Sequence, residues 1–206
     1  MLADLVRHLF PRRVREADLS LRYTFCLGGL AFTSFLVLSV SGLLLLFYYS
    51  PSPGTAYASI LFLEQEVPGG AFLRSLHRLA SHALLLLLAL HTLRVILTGA
   101  FLRPRKYNWV VGCALFALCV FEAYTGYLLP FDQLAYWATQ TGMELLRQMP
   151  LGETARAALV PDHVGGPLTL LRFYALHVAL VPMAILSLTM LHFFVIRRQR
   201  GLLPWL

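Results

Sequence analysis

The sequence predicts an all-α membrane protein, a bundle of four transmembrane helices, and three observations predict it. Hydrophobic residues make up 58% of the chain and charged ones only 13%, with a mean hydropathy of +0.69; a soluble domain can neither bury nor display that much apolar surface. Four segments, about 23–49, 76–101, 109–129 and 170–196, each supply the roughly 20 apolar residues that a helix needs to cross the hydrocarbon core. Breaks separate them: Pro51, Pro53 and Gly54, then Pro68, Gly69 and Gly70, then Arg103 to Lys106, then Pro130 to Pro167. We name the segments spans A to D and read all 206 residues as one membrane domain.

Residues 1–21 precede span A. They mix Leu2, Leu5, Val6, Leu9 and Phe10 with arginine at helical spacing, which fits a short helix on the inner membrane surface; a basic tail is the alternative. The apolar run of span A is too long for a signal-peptide core and no small-residue cleavage site follows it, so span A is expected to be retained. The net charge of +7 could suggest nucleic acid, but topology accounts for it and no nucleic-acid partner is expected. Arg7, Arg12, Arg13 and Arg15 precede A, Arg103, Arg105 and Lys106 join B to C, and Arg197, Arg198 and Arg200 follow D. With four spans these groups fall on one side, which the positive-inside rule makes cytoplasmic. Both termini are then cytoplasmic, and the A–B and C–D connections, including Gln133 to Pro167, face outward. In the C–D connection Leu134 to Met149 is amphipathic and is expected to lie flat on the outer surface.

Span B carries His77 and His91, fourteen apart; span D carries His177 and His192, fifteen apart. At about 100° per residue fourteen steps fall about 40° short of four turns and fifteen pass it by about 60°, so each pair stays near one face, separated by roughly 21 to 23 Å along its helix. B and D run in the same direction, so His77 can face His177 near the outer surface and His91 can face His192 near the inner one. A single intramembrane histidine is more often satisfied by a neighbouring carbonyl. Four in register on two parallel spans are hard to obtain by accident, because polar groups in a span are costly and default to function. Each facing pair is read as the two axial ligands of one haem iron; six-coordinate iron has no open position and suits electron transfer.

Spans A and C repeat the interval with Gly28 and Gly42, and with Gly112 and Gly126. Small residues commonly serve helix packing in membranes, but at the histidine spacing they indicate close approach to a flat ligand. Pro182 lies between the histidines of D and should kink that helix, a kink for which the extra residue in D compensates. Cys26, Cys113 and Cys119 show no C-x-x-C pattern, so no disulfide framework is expected; Cys113 and Cys119 read as core. Glu122, one turn before Gly126, is an intramembrane acid whose readings are a proton path or a polar neighbour. His82 points about 140° and 180° away from His77 and His91, off their face, and neither it nor His8 nor His163 is read as a ligand.

The order Gly28, Gly42, His77, His91, Gly112, Gly126, His177, His192 resembles the cytochrome b6 family, the N-terminal half of the split cytochrome b of b6f- and bc-type complexes. The strings "SLHRLASHALLLLLALHTLRVILTGAFLRPRKYNWVVG", "TGYLLPFDQLAYWA" and "LRFYALHVALVP…LHFFVIRRQ" carry the resemblance over nearly the whole chain. It implies two haem b, the outer on His77 and His177 beside a quinol-oxidising pocket and the inner on His91 and His192. It also implies that Arg74, Arg78, Arg94, Arg105 and Arg197 stand near haem propionates or the inner quinone site. Cys26 in "YTFCLGG" is similar to the cysteine that holds a third, c-type haem through one thioether on the inner side. "GYLLPFDQ" is similar to the family's "GYxLPWxQ" and marks Tyr127, Pro130, Phe131, Asp132 and Gln133 as quinol-pocket candidates, with Phe131 where the family has tryptophan.

The chain ends about ten residues after span D, where a full-length cytochrome b continues. The resemblance therefore leads us to expect a subunit IV-like membrane partner, a Rieske iron–sulfur protein and a c-type cytochrome, in a dimeric complex of the bacterial cytoplasmic membrane or the thylakoid. Such a complex oxidises quinol outside and carries electrons across the bilayer to quinone inside. The alternative from another class is a haem-bearing membrane anchor of a dehydrogenase or hydrogenase, whose ligand spacing and glycine pattern differ.

Overall fold

The computed structural model describes residues 25–198, which are helical with short connections. The N-terminal segment 1–21, with His8 and the first basic group, lies outside the described residues, as do residues 199–206. Helix α1 spans Leu27–Leu46, α2 Ala56–Gln65, α3 Gly70–Leu97, α4 Lys106–Leu128, α5 Gln133–Arg147 and α6 Gly152–Leu159. The last element is α7, Pro167–Ala175, running through a π-helical turn, Leu176–Leu180, into α8, Val181–Arg198. Among the described residues, four stretches are long and apolar enough to cross a membrane: α1, α3, α4 and the continuous Pro167–Arg198. These are the spans A to D that hydropathy indicates.

The bounds differ in an instructive way. Helix α3 begins at Gly70, six residues before the predicted onset of span B, because the helix includes a turn carrying Arg74 that hydropathy leaves out. Span D likewise opens at Pro167, whose fixed φ and missing N–H suit the first helical position. Helix α2, inside the A–B connection, is an added element. It turns back on α3 so tightly that a β-carbon on Gly70 would run into the Leu63 carbonyl, so only glycine fits there. The amphipathic segment of the C–D connection is α5, capped by Asp132, whose carboxylate accepts the Ala135 N–H at 2.8 Å.

The spans pack in pairs, α1 along α3 and α4 along α8. Between them lies a core of Ala31, Leu84, Val111, Leu115, Cys119, Val181 and Ile185. Leu84 is seven residues from both His77 and His91, and Cys119 is seven from both Gly112 and Gly126, so this core fills the middle of the bundle between two levels. A second core at one end gathers Ala56, Leu128, Met143, Val160, Val164, Leu170 and Phe173 from α2, α4, α5, α7 and the connection before it. Phe173, Leu128 and Leu170 are fully buried there, and each stabilises the end by roughly 1.5–3 kcal/mol relative to water. Tyr49 ties the end of α1 to the same region, donating its hydroxyl to the Leu129 carbonyl at 2.7 Å. The A–B and C–D connections therefore sit at one end of the bundle.

Just before Pro182, where a kink is expected, the helix takes a π-helical turn. Proline cannot donate to the Val178 carbonyl, and the chain responds by widening the preceding turn. A π turn holds one residue more than an α turn, so the fifteen residues from His177 to His192 advance the helix as the fourteen in α3 do.

Candidate functional site

The histidines expected at the outer level, His77 of α3 and His177 of the π turn, stand with ring centroids 6.2 Å apart at 76°. Their hydrogen bonds fix which nitrogen carries the proton. His177 Nδ1 lies 3.1 Å from the Glu122 backbone carbonyl, which can only accept, so Nδ1 is the donor. His77 Nδ1 lies 2.9 Å from the Ser41 hydroxyl. That hydroxyl gives its own proton to the Val37 carbonyl at 2.7 Å, so it too accepts from the ring. With both Nδ1 protons bound to protein, each Nε2 keeps its lone pair for a metal. This is the arrangement that orients metal-ligating histidines, in which the second nitrogen donates to a carbonyl or similar acceptor. The separation also fits, since two ring nitrogens at about 2 Å from one ion put ring centres roughly 6 Å apart.

His91 and His192 stand at the other level, against Gly28 and Gly112. His192 of α8 lies within electrostatic reach of His91 of α3. Phe32 and Phe193 meet edge to face beside it, with centroids 5.2 Å apart.

Each of the four predicted glycines faces one of these rings. A β-carbon on Gly42 would stand 3.2 Å from His77 Cε1, on Gly28 3.3 Å from His91 Cε1 and on Gly112 3.3 Å from His192 Cε1. On Gly126 it would stand 2.9 Å from His177 Nδ1 and 3.0 Å from Nε2, and closer still to Cε1. No such contact meets Gly29, one residue from Gly28. The glycines of α1 therefore hold room for the histidines of α3, and those of α4 for the histidines of span D. Donor set and glycine cradles both suit a planar metal-centred group at each level.

The remaining predicted residues are placed as follows. Cys26 is exposed at the start of α1, with φ 51°, a left-handed conformation that costs a non-glycine residue roughly 1–2 kcal/mol. It stands two residues before Gly28 and hence at the level of His91. Arg74 pairs with Glu64 of α2, while Arg78 is exposed near His77. Arg94, Arg105 and Arg197 lie half-buried at the opposite end. Tyr127, Pro130, Phe131, Asp132 and Gln133 gather at the end of α4 and the start of α5. Among them Asp132 is engaged as the α5 cap, Gln133 Oε1 accepts from the Trp137 indole at 3.2 Å, and Phe131 turns the chain at φ 56°. His82 and His163 are exposed and stand apart from the paired rings. Cys119 is core, as read, but Cys113 is not: it is exposed on the outside of α4, because a helix apolar on all sides does not announce its inner face.

Three residues of the site were not singled out as ring partners by the sequence reading. Ser41 and Thr125 immediately precede Gly42 and Gly126, and Thr125 Oγ1 lies 3.2 Å from His177 Nδ1. Both hydroxyl residues are buried. The signal was available, since a hydroxyl residue precedes each outer-level glycine, whereas Leu27 and Val111 precede the inner ones. The third is Glu122, whose side-chain Oε1 lies 3.1 Å from the same His177 nitrogen.

Comparison with known proteins places the chain in a family. The family model described as Cytochrome b/b6/petB matches residues 15–200. A cytochrome b6 of Heliobacterium mobile is 41% identical over 95% of this chain and 90% of its own. The menaquinol:cytochrome c reductase cytochrome b subunit of Geobacillus thermodenitrificans is 37% identical over 95% of this chain and 88% of its own. Among solved structures, a chain of a hyperthermophilic respiratory Complex III superposes with a TM-score of 0.79 at 26% identity. The match covers 95% of this chain but 51% of that one, about half its length.

Proposed function

This chain belongs to the cytochrome b/b6 family, and from that premise we propose that it is the two-haem membrane subunit of a quinol-oxidising complex of the b6f or bc type. Membership favours this over a dehydrogenase or hydrogenase anchor. The observation that carries the haem count is the set of four glycine–histidine contacts, two at each of two levels. Bound at both levels, haem supplies one-electron iron chemistry at two depths of the bilayer, as electron transport across it requires.

The chain's own residues do the following. His77 with His177 would hold one haem iron, and His91 with His192 the other. Gly42 and Gly126 at the outer level, and Gly28 and Gly112 at the inner, keep the space beside the rings flat. Arg78 outside and Arg94, Arg105 and Arg197 inside supply positive charge for propionates or the inner quinone. Arg74 does so less directly, since Glu64 already engages it. Tyr127, Pro130 and Phe131 form a wall of the quinol pocket, with Asp132 and Gln133 holding the turn through their cap contacts. The Cys26 thiol, exposed at the level of Gly28 and His91, would hold a third, c-type haem through one thioether.

The relatives named menaquinol:cytochrome c reductase support a quinol, menaquinol among them, as the electron donor. A subunit IV-like protein, a Rieske iron–sulfur protein and a c-type cytochrome complete the proposed dimer, with both termini cytoplasmic. The test is His91→Ala and His177→Ala in the full complex, with haem counted by pyridine haemochrome. Loss of the inner haem alone in the first and the outer haem alone in the second is the expected outcome. Retention of both haems in either variant refutes that ligand.

A further inference from the structure

Outer and inner levels differ in what surrounds the ligand rings, and the largest difference is an acid. Glu122 of α4 brings two groups to one nitrogen: its backbone carbonyl lies 3.1 Å from His177 Nδ1, and its side-chain Oε1 lies 3.1 Å from the same atom. Thr125 completes the set, with Oγ1 3.2 Å from Nδ1 while donating to the Glu122 carbonyl at 2.8 Å. Glu122 Oε2 lies 3.5 Å from the same hydroxyl. Side chains of Glu122 and His177 are only 18% exposed, so little water screens the contact. His77, on the other side of the outer level, has the neutral Ser41 hydroxyl at its Nδ1.

Resting on the ligand assignment proposed above, we infer that Glu122 is a positioning residue that tunes the outer haem through His177. An acceptor at Nδ1–H draws the proton away from the ring and leaves Nε2 a stronger electron donor. Oxidised iron gains more from such a ligand than reduced iron, so the outer haem is held at a lower potential than His177 with a carbonyl and a hydroxyl alone would set. The effect belongs to one level only. His91 and His192 lie at the other end of their spans, beyond the apolar core of Leu84, Leu115 and Ile185.

The test is a redox titration of both haems in the full complex carrying Glu122→Gln or Glu122→Asp, with haem per chain measured in parallel. Glu122→Gln keeps the shape and an acceptor oxygen but replaces the acid with an amide. It is expected to retain both haems and raise the outer midpoint, making that haem about tenfold more reduced at a fixed ambient potential, which is 59 mV for a one-electron couple. Glu122→Asp keeps the acid and is expected to stay nearer the wild-type midpoint, and the inner midpoint is expected to remain fixed in both. Loss of the outer haem in Glu122→Gln with its retention at a near-wild-type midpoint in Glu122→Asp also upholds the inference. An unchanged outer midpoint in Glu122→Gln overturns it, as do equal shifts at both haems, an equal rise in Glu122→Asp, or loss of the outer haem from both variants. Failure of the ligand assignment is separate and is read from His177→Ala, which would then keep its outer haem.

Discussion

Replacing Gly126 by alanine should weaken the outer haem far more than the same change at any of the other three paired glycines. The added methyl would stand 2.9 Å from His177 Nδ1 and 3.0 Å from Nε2, against an ordinary carbon contact of about 3.5–4 Å. The ring must then retreat by about 0.6 Å or more. Retreat is costly here, because Nδ1 sits 3.1 Å from the Glu122 carbonyl and 3.2 Å from Thr125 Oγ1, and a similar displacement takes both contacts beyond useful hydrogen-bond length. Overpacking of this kind costs typically 1–3 kcal/mol, which is roughly a fivefold to hundredfold loss of haem affinity.

The neighbouring positions supply the controls. At Gly28, Gly42 and Gly112 the contact would be 3.2 or 3.3 Å, so a shift of a few tenths of an ångström relieves it and the loss should be small. Gly29→Ala meets nothing within 4 Å and should leave haem binding alone while gaining roughly 1 kcal/mol of helix propensity. Haem per chain by pyridine haemochrome, with the two haems resolved by redox titration, measures the series. A Gly126→Ala complex that keeps its outer haem with an unchanged midpoint, or a Gly29→Ala complex disturbed as much, would refute the steric argument.

Three further outcomes are expected. A denaturing gel stained for haem peroxidase activity should show a stained band at 23.1 kDa that Cys26→Ser abolishes; an unstained wild-type band removes the third haem and leaves the two-haem reading intact. With Cys26 and Cys113 changed to serine, a thiol introduced by Thr154→Cys on the exposed face of α6 should react with an impermeant reagent only from the outer side, and labelling from the cytoplasm alone would invert the topology. Asp162 binds the Thr169 hydroxyl and the backbone N–H groups of Leu168, Thr169 and His163, and the Thr169 bond is the main reason its carboxyl titrates at about 2 instead of 3.8. Because folding lowers this pKa, its stabilisation is full above about pH 4 and fades as the pH falls through about 2. The stability difference between wild type and Asp162→Asn, followed by proteolysis of the C–D connection, should be constant above pH 4 and shrink below it; a difference that grows on acidification contradicts the sign.

The four spans and the two histidine levels were legible because they rest on quantities that sequence carries directly. An apolar run long enough to span a bilayer is a sum over residues, and a fourteen-residue interval on a helix fixes both face and height. Hydropathy is blind to a helix that outlasts its apolar run. Gly70 to Ser75 belongs to α3 with Arg74 on it, and the average falls there although the backbone does not change. Helices α2 and α6 lie in stretches broken by proline and glycine, and they are held by the end core around Phe173 and Leu170 and by turns such as that at Gly70. Those are tertiary contacts that no local pattern encodes.

Within the site the division falls between spacing along a helix and pairing across helices. His177 and His192 could be placed at two heights from their interval, but the sixty-degree offset hid its cause, the π turn at Leu176–Leu180. That turn matters beyond register, since it carries His177 itself and sets the face on which its Nδ1 meets α4. Glu122 could be recognised as an acid inside a span, and its cost there points to some partner. Which partner depends on the rotation of two helices about their axes, and α4 is so evenly apolar that its inward face was misjudged at Cys113. An acid one turn before a histidine-facing glycine, joined by a hydroxyl residue between them, becomes interpretable once α4 and the π turn are set side by side: Glu122, Thr125 and Gly126 then address one imidazole, the first two through its proton and the third through the space its ring occupies.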